Sequence, residues 1–319
     1  MAQSESLYKR NKTRYERKKE LIAYSFIAPN FIGFAVFTLL PVLFSIFLSF
    51  VEWKGGAFDT MKWVGFGNYA EIFASKKVVE KGIGYLFTRA DLGITLKNTL
   101  FYTVVTVPLT LVCAVALALA LNKAVKGAVG FRTVFFFPYV ASMVAICVCW
   151  RFMMMKDGPI NQIIMALGGS FNKSWTADKT MAMWSIILVS VWRNMGYYMV
   201  IYLAALQGVP VDLYEAATMD GANKWQQFFH VTLPQLRPTT FFASTMMIIS
   251  CFKIYDVVEI MTDGGEPGRS TKMLVTYIYN EAFKNFNYGI ASAIAMVLLV
   301  IVLAFTLAQF SMEGKYANN

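Results

Sequence analysis

Three groups of polar and aromatic residues stand inside otherwise apolar stretches of this sequence, at spacings that bring their side chains together. Ser190, Asn194 and Tyr197 fall at i, i+4 and i+7, along one face of a helix. Phe252, Lys253, Asp256 and Glu259 lie close to one stripe of a second helix, and Tyr139, Ser142 and Met143 begin a third. Polar groups are costly in hydrocarbon, so they face a bundle interior or a wet cavity. Hydroxyls, an amide and aromatic rings supply hydrogen bonds and ring stacking, the chemistry that suits a sugar. The plainer reading of Lys253 and Asp256 is an ion pair at i, i+3 that holds one helix against its neighbours. Arg193 and Arg151 read as structural, with Arg151 near a membrane boundary where it can snorkel to head groups. The single histidine, His230, reads as an exposed helix residue.

None of these groups is built for bond-breaking chemistry. The chain has no G-x-S-x-G elbow, no H-E-x-x-H and no aspartate pair at protease-like membrane positions. The stretch Gly264-Gly265-Glu266-Pro267-Gly268-Arg269-Ser270-Thr271 looks superficially like a phosphate loop, but its glycine spacing is wrong and Arg269 stands where lysine is needed. Cys113, Cys147, Cys149 and Cys251 all lie in apolar stretches without metal-ligand spacing, so neither a disulfide nor a metal is expected.

The elements that must position these residues are membrane helices. Of 319 residues, 57% are hydrophobic and only 15% charged, with mean hydropathy +0.51, more apolar surface than a soluble core can hide. Six stretches of roughly membrane-spanning length follow, at about residues 21–50, 98–121, 133–155, 181–206, 238–261 and 291–310. The first is too long, and lacks the small-residue cleavage site, for a removable signal peptide. The net charge of +10 does not indicate nucleic acid, because the basic residues gather in short segments beside apolar helices. Lys9, Arg10, Lys12, Arg14, Arg17, Lys18 and Lys19 crowd the N-terminal tail, and Lys123, Lys126 and Arg132 follow the second span without an acid. The positive-inside rule puts both in the cytoplasm. An even number of spans then returns the C-terminus to the same side. Residues 51–95, 156–179 and 262–289 face out, while 122–132 and 207–237 face in.

The expected organisation is an all-α integral membrane protein with a basic tail over 1–20, a six-helix membrane domain over 21–310, and a short cytoplasmic tail over 311–319. One cytoplasmic loop, 208–237, is patterned to fold. Gly208 stops a helix, Pro210 sits in the first turn of the next, and Asp212 and Glu215 stand where a helix dipole favours acids. A second short helix should run from about 223 to 231, after a turn at Gly221 and before Leu233-Pro234. Such a knob, with small Ala216 and Ala217, has the geometry of a docking element.

The run Glu215-Ala216-Ala217-Thr218-Met219-Asp220-Gly221-Ala222, followed by Phe228 and Thr232-Leu233-Pro234, resembles the EAA loop of ABC importer permeases. The likeness extends to residues 24–49 with two prolines, Phe137-Pro138-Tyr139 and Thr262-Asp263-Gly264-Gly265, and is greatest to carbohydrate-type permeases related to the maltose and glycerol-3-phosphate systems. The resemblance implies that this helix enters a cleft of a cytoplasmic ATPase dimer, with Glu215 the charged contact, Gly221 the turn, and Ala216, Ala217, Asp220, Leu233 and Pro234 completing the coupling surface. It implies no cofactor on this chain, since the partner ATPase uses ATP and magnesium. A second, related permease chain would complete the pathway. A binding protein outside the membrane would deliver solute; residues 51–95, with Trp53, Trp63, Phe66 and Tyr69, are placed either to help receive it or to form an interfacial aromatic belt, the reading favoured for Trp53. The membrane would be the bacterial or archaeal cytoplasmic (inner) membrane. Sugar or oligosaccharide is the first expectation for cargo, with glycerol-3-phosphate or a polyol on the same machinery as the alternative. A proton-coupled secondary transporter, with Lys253, Asp256 and Glu259 as a relay, is the rival, but it would have no need of a folded docking knob.

Overall fold

The computed structural model describes residues 14–73, 90–122, 127–169 and 173–317, without the side chains of 14–18 and 312–317. Lys9, Arg10, Lys12, Lys123 and Lys126, on which much of the sidedness argument rests, lie outside the described residues. In chain order the helices are α1 (Arg14–Phe34), α2 (Leu40–Leu48), α3 (Gly67–Phe73), α4 (Asp91–Asn122), α5 (Ala128–Val140), α6 (Met143–Met153), α7 (Pro159–Ala166), α8 (Ala182–Gln207), α9 (Val211–Met219), α10 (Lys224–Gln227), α11 (Leu233–Gln235), α12 (Arg237–Phe252), α13 (Asp256–Thr262), α14 (Leu274–Tyr279) and α15 (Tyr288–Ala317). A two-strand ribbon, Val51–Glu52 with Lys62–Trp63, is the only sheet among the described residues.

Four spans are long apolar helices: Lys19–Leu48, Asp91–Asn122, Ala182–Gln207 and Tyr288–Ser311. The third and fifth expected spans are not single helices. α5 and α6 are bent by 97°, and α12 and α13 by 50°. Pro138 removes one backbone donor from α5, and the chain leaves the helix at Ala141 (φ −66°, ψ 152°) before Ser142 opens α6. In the fifth span the break falls at Lys253-Ile254-Tyr255, after which Asp256 and Glu259 occupy the first turn of α13, where the dipole favours acids.

Side-chain and backbone bonds show that both broken segments still cross. At one end, Arg132 of α5 reaches Leu121 O of α4, so α5 begins beside the end of α4. At the other, Arg151 of α6 bonds Asp263 just past α13, while Asn98 of α4 donates to the carbonyls of Arg269 and Lys272, each at 3.0 Å. α6 and α13 therefore finish at the end where α4 starts. The ribbon joins that end too, since Tyr288 N bonds Trp53 O and Leu274 N bonds Thr99 Oγ1. The chain crosses six times, with the 208–237 loop at the opposite end from the ribbon.

α8 is the central span, with 56% of its most apolar window buried, against 6% for Lys19–Leu48. Lipid offers little hydrophobic drive for helices to associate, so close approach through small groups has to supply packing. On α4, Thr95, Thr99, Thr103, Thr106 and Thr110 are buried, and the first three return their hydroxyl protons to carbonyls one turn back. On α8, a Cβ at Gly196 would stand 1.8 Å from Phe135 O, so α5 and α8 touch backbone to backbone there.

Two prolines that look like helix boundaries are not. The π-turns Ala35–Leu39 and Phe228–Thr232 come just before Leu40-Pro41 and Leu233-Pro234, and helix continues beyond each. A proline ring clashes with the carbonyl four residues earlier, which in both cases lies inside the widened turn.

Candidate functional site

Residues of α4, α5, α6, α8, α12 and α13 line a half-open cavity of about 190 Å³. Tyr139, Met143, Ser190 and Asn194, four of the residues singled out from sequence, meet on its wall. The α5–α8 contact at Gly196 sets their geometry: it lays the Tyr139 ring on Tyr197, with centroids 4.3 Å apart and planes 16° from parallel. Asn194 Nδ2 donates to Ser190 O at 2.7 Å, which leaves its side-chain oxygen to accept. Ser190 Oγ is buried without a hydrogen-bond partner.

Other expected pathway residues stand elsewhere. Ser142 is exposed at the α5–α6 bend. Phe252 is fully buried but faces α15, 5.3 Å from Phe305. Lys253 and Asp256 are both exposed and lie on either side of the break between α12 and α13, so the i, i+3 helical ion pair does not form. Glu259 instead has Lys284 at 3.5 Å.

The cavity also draws on residues the sequence did not mark, among them Tyr102, Tyr198, Met247, Ser250 and Cys251. Tyr102 is isolated in an apolar run, and no spacing rule picks it out. Arg193 is the larger omission. Its Nη2 donates to Tyr139 O at 3.1 Å and its guanidinium carbon lies 5.1 Å from the Tyr139 centroid. Its place one turn from Ser190 was the available signal. Arg151, by contrast, is structural but does not snorkel: both terminal nitrogens bond Asp263 at 2.8 Å and one also reaches Ile260 O at 2.7 Å. The match of planar fork to carboxylate ties α6 to the end of α13.

At the opposite end, the 208–237 loop is a folded knob. Gly208 ends α8, Pro210 directly precedes α9, and Glu215 and Ala216 are exposed on that helix. α9 closes with Gly221 N on Thr218 O at 3.0 Å and Ala222 N on Ala217 O at 2.9 Å, a turn that requires the positive φ of Gly221, 79°. Asn223 and Gln226 then form a reciprocal capping box. The two arms are cross-bonded, Tyr214 to Thr232 at 3.0 Å and Gln227 to Thr218 at 3.0 Å. The second arm does not stop before Leu233-Pro234 but runs through the π-turn into α11. Met219, Trp225 and Phe229 are exposed on the knob, and so is His230.

A six-crossing bundle with a polar internal cavity and a folded knob at one end defines a multi-pass membrane transport subunit. The chain belongs to the family of binding-protein-dependent transport system inner membrane components, whose pattern matches residues 115–313, and it is an ABC importer permease subunit. It is 38% identical over 309 residues to the probable ABC transporter permease protein YesP of Bacillus subtilis (strain 168), covering 96% of this chain and 95% of that one. It is 33% identical to the lactose transport system permease protein LacF of Rhizobium radiobacter, over 96% and 99% of the two chains. Its fold is similar to a chain in the crystal structure of a bacterial alginate ABC transporter in complex with an alginate pentasaccharide-bound periplasmic protein, with TM-score 0.79, 20% identity, and coverage of 96% and 98%.

Proposed function

We propose that this chain forms half of the translocation pathway of an importer for a sugar or oligosaccharide, and that it takes its energy from a cytoplasmic ATPase dimer through the 208–237 knob. The observation that carries this reading is the knob itself: two cross-bonded helical arms with Glu215 and large apolar side chains exposed, joined directly to α8 and α12, which wall the cavity. A loop that only connected two spans would gain nothing from exposing Met219, Trp225 and Phe229 to water. Glu215 supplies the charged contact, Gly221 the turn, and Ala216, Ala217 and Asp220 the close-packed surface. Leu233 and Pro234 carry the arm into the membrane.

The sugar class rests on the cavity chemistry and on relatives whose names specify lactose and arabinooligosaccharide transport. The chain does not enclose a pathway alone, and a second, related permease chain completes it. The ribbon end faces outward, where a binding protein delivers solute. The knob and both termini face the cytoplasm, and the membrane is the inner membrane of a bacterium or archaeon. ATP and magnesium belong to the ATPase, and this chain is non-catalytic.

The test is ATPase activity of the chain co-purified in lipid with its partner permease and ATPase, with and without loaded binding protein. Glu215→Ala should leave assembly intact and remove at least nine-tenths of the stimulated rate, that is about 1.4 kcal/mol or more of coupling. Stimulation that survives the substitution would remove the coupling role. Absence of any associating ATPase would remove the importer reading.

A further inference from the structure

We infer that the solute passing the cavity carries an acidic group, specifically a sugar carboxylate such as that of a uronic acid, and that Arg193 receives it. The inference rests on reading this cavity as the pathway.

Arg193 is the only charged residue on the cavity wall, and none of the described carboxylates stands within ion-pair distance of it. Charged side chains within membrane spans pair with one another or with backbone carbonyls, because an unpaired charge there is costly. Arg151 obeys this rule with a two-pronged bond to Asp263. Arg193 does so only in part: one terminal nitrogen bonds Tyr139 O, the plane lies near the Tyr139 ring, and the buried Nε has no partner.

A guanidinium presents donors as a rigid fork that matches a carboxylate, which makes the missing partner an anion of that shape. One turn back along α8, Ser190 Oγ is buried beside the Tyr102 hydroxyl. The Asn194 side-chain oxygen, left free by the bond from its nitrogen to Ser190 O, accepts from a sugar hydroxyl. One wall of the cavity thus binds an acid and the adjoining position binds an alcohol. A neutral sugar would leave the guanidinium with only the Tyr139 carbonyl and ring as partners.

The test uses the full complex of this chain, its partner permease and the ATPase in nanodiscs. Ser250, which also lines the cavity, is replaced in a background with Cys113, Cys147, Cys149 and Cys251 changed to alanine, and Ser250→Cys is modified with N-ethylmaleimide. Protection is titrated with digalacturonate, with digalactose, and with galactose 6-phosphate. Digalacturonate should half-protect at a concentration at least about ten-fold lower than digalactose, an advantage worth about 1.4 kcal/mol. Arg193→Gln should bring that ratio close to one, while Arg193→Lys should keep part of it. Equal protection by the two disaccharides, protection by neither, or a ratio unmoved by Arg193→Gln would overturn the inference. Stronger protection by galactose 6-phosphate would replace the carboxylate with a phosphate and equally overturn it. If protection fails while ATPase stimulation still depends on Glu215, the importer reading stands and this one falls. Loss of both removes the importer reading as well.

Discussion

Asp178 holds the turn that leads into α8. Its Oδ1 accepts from Thr180 N at 2.9 Å and from the Thr180 hydroxyl, and its Oδ2 from Lys173 at 3.1 Å. Bonds from the Thr180 hydroxyl and backbone, with Lys173 beside them, push its carboxyl well below the ordinary carboxylate value. A depressed folded value means that the stabilisation is complete above the unfolded value, about 3.9, and is lost as pH falls from there toward the folded value. The thermal midpoint of Asp178→Asn in detergent should therefore lie below that of the native chain by a constant gap from pH 8 to pH 5, and the gap should shrink below about pH 4. A gap independent of pH would rule the linkage out. At this scale the sequence was legible where a side chain acts through its own helix face, as with Ser190 and Asn194. It was not legible where the partner comes from another helix. Arg193 needs Tyr139 and Arg151 needs Asp263, and nothing in the intervening chain announces either meeting.

The joint between α5 and α8 is the element-scale counterpart. Because a Cβ on Gly196 would overlap Phe135 O, Gly196→Ala must separate the two helices or shift α5 along α8. Forcing a methyl into such a contact costs about 1–3 kcal/mol. The substitution should lower the thermal midpoint and disturb the Tyr139–Tyr197 stack. Gly130→Ala on the same α5, where the added atom meets nothing within 4 Å, should be neutral or slightly stabilising. Equal behaviour of the two variants would show that the contact carries no packing load. Elements were legible as hydrophobic runs, and the polar interruptions inside them were legible as residues but not as breaks. Lys253 and Asp256 were placed on one helix because their spacing permits it. The backbone instead ends one helix before Lys253 and begins another at Asp256. Pro234 misled in the opposite direction, because a π-turn lets helix continue past a residue that normally stops it.

For the whole molecule, six crossings could be counted from length and hydropathy alone, since each stretch must be about as long as a bilayer is thick. Which end faces which compartment rests on basic residues at the chain's margins. In a cysteine-free background, Glu52→Cys on the ribbon and Trp225→Cys on the knob report opposite ends, and both native side chains are exposed. A membrane-impermeant maleimide added to intact cells should label Glu52→Cys and leave Trp225→Cys untouched until the membrane is opened. The reverse pattern would invert the proposed orientation. The mutual arrangement of the spans was not legible. Composition does not encode the central place of α8 or the nearly bare flanks of α1 and α2.

The π-turn before Pro234 has one more consequence. Because it carries helical backbone past the proline, and Leu236 also stays right-handed, residues 224–252 run from the exposed knob to the cavity wall without an extended linker. At ~1.5 Å per residue the path along these turns is about 40 Å. A displacement at the Trp225 end therefore reaches Ser250 through helical turns alone, with no slack segment to absorb it.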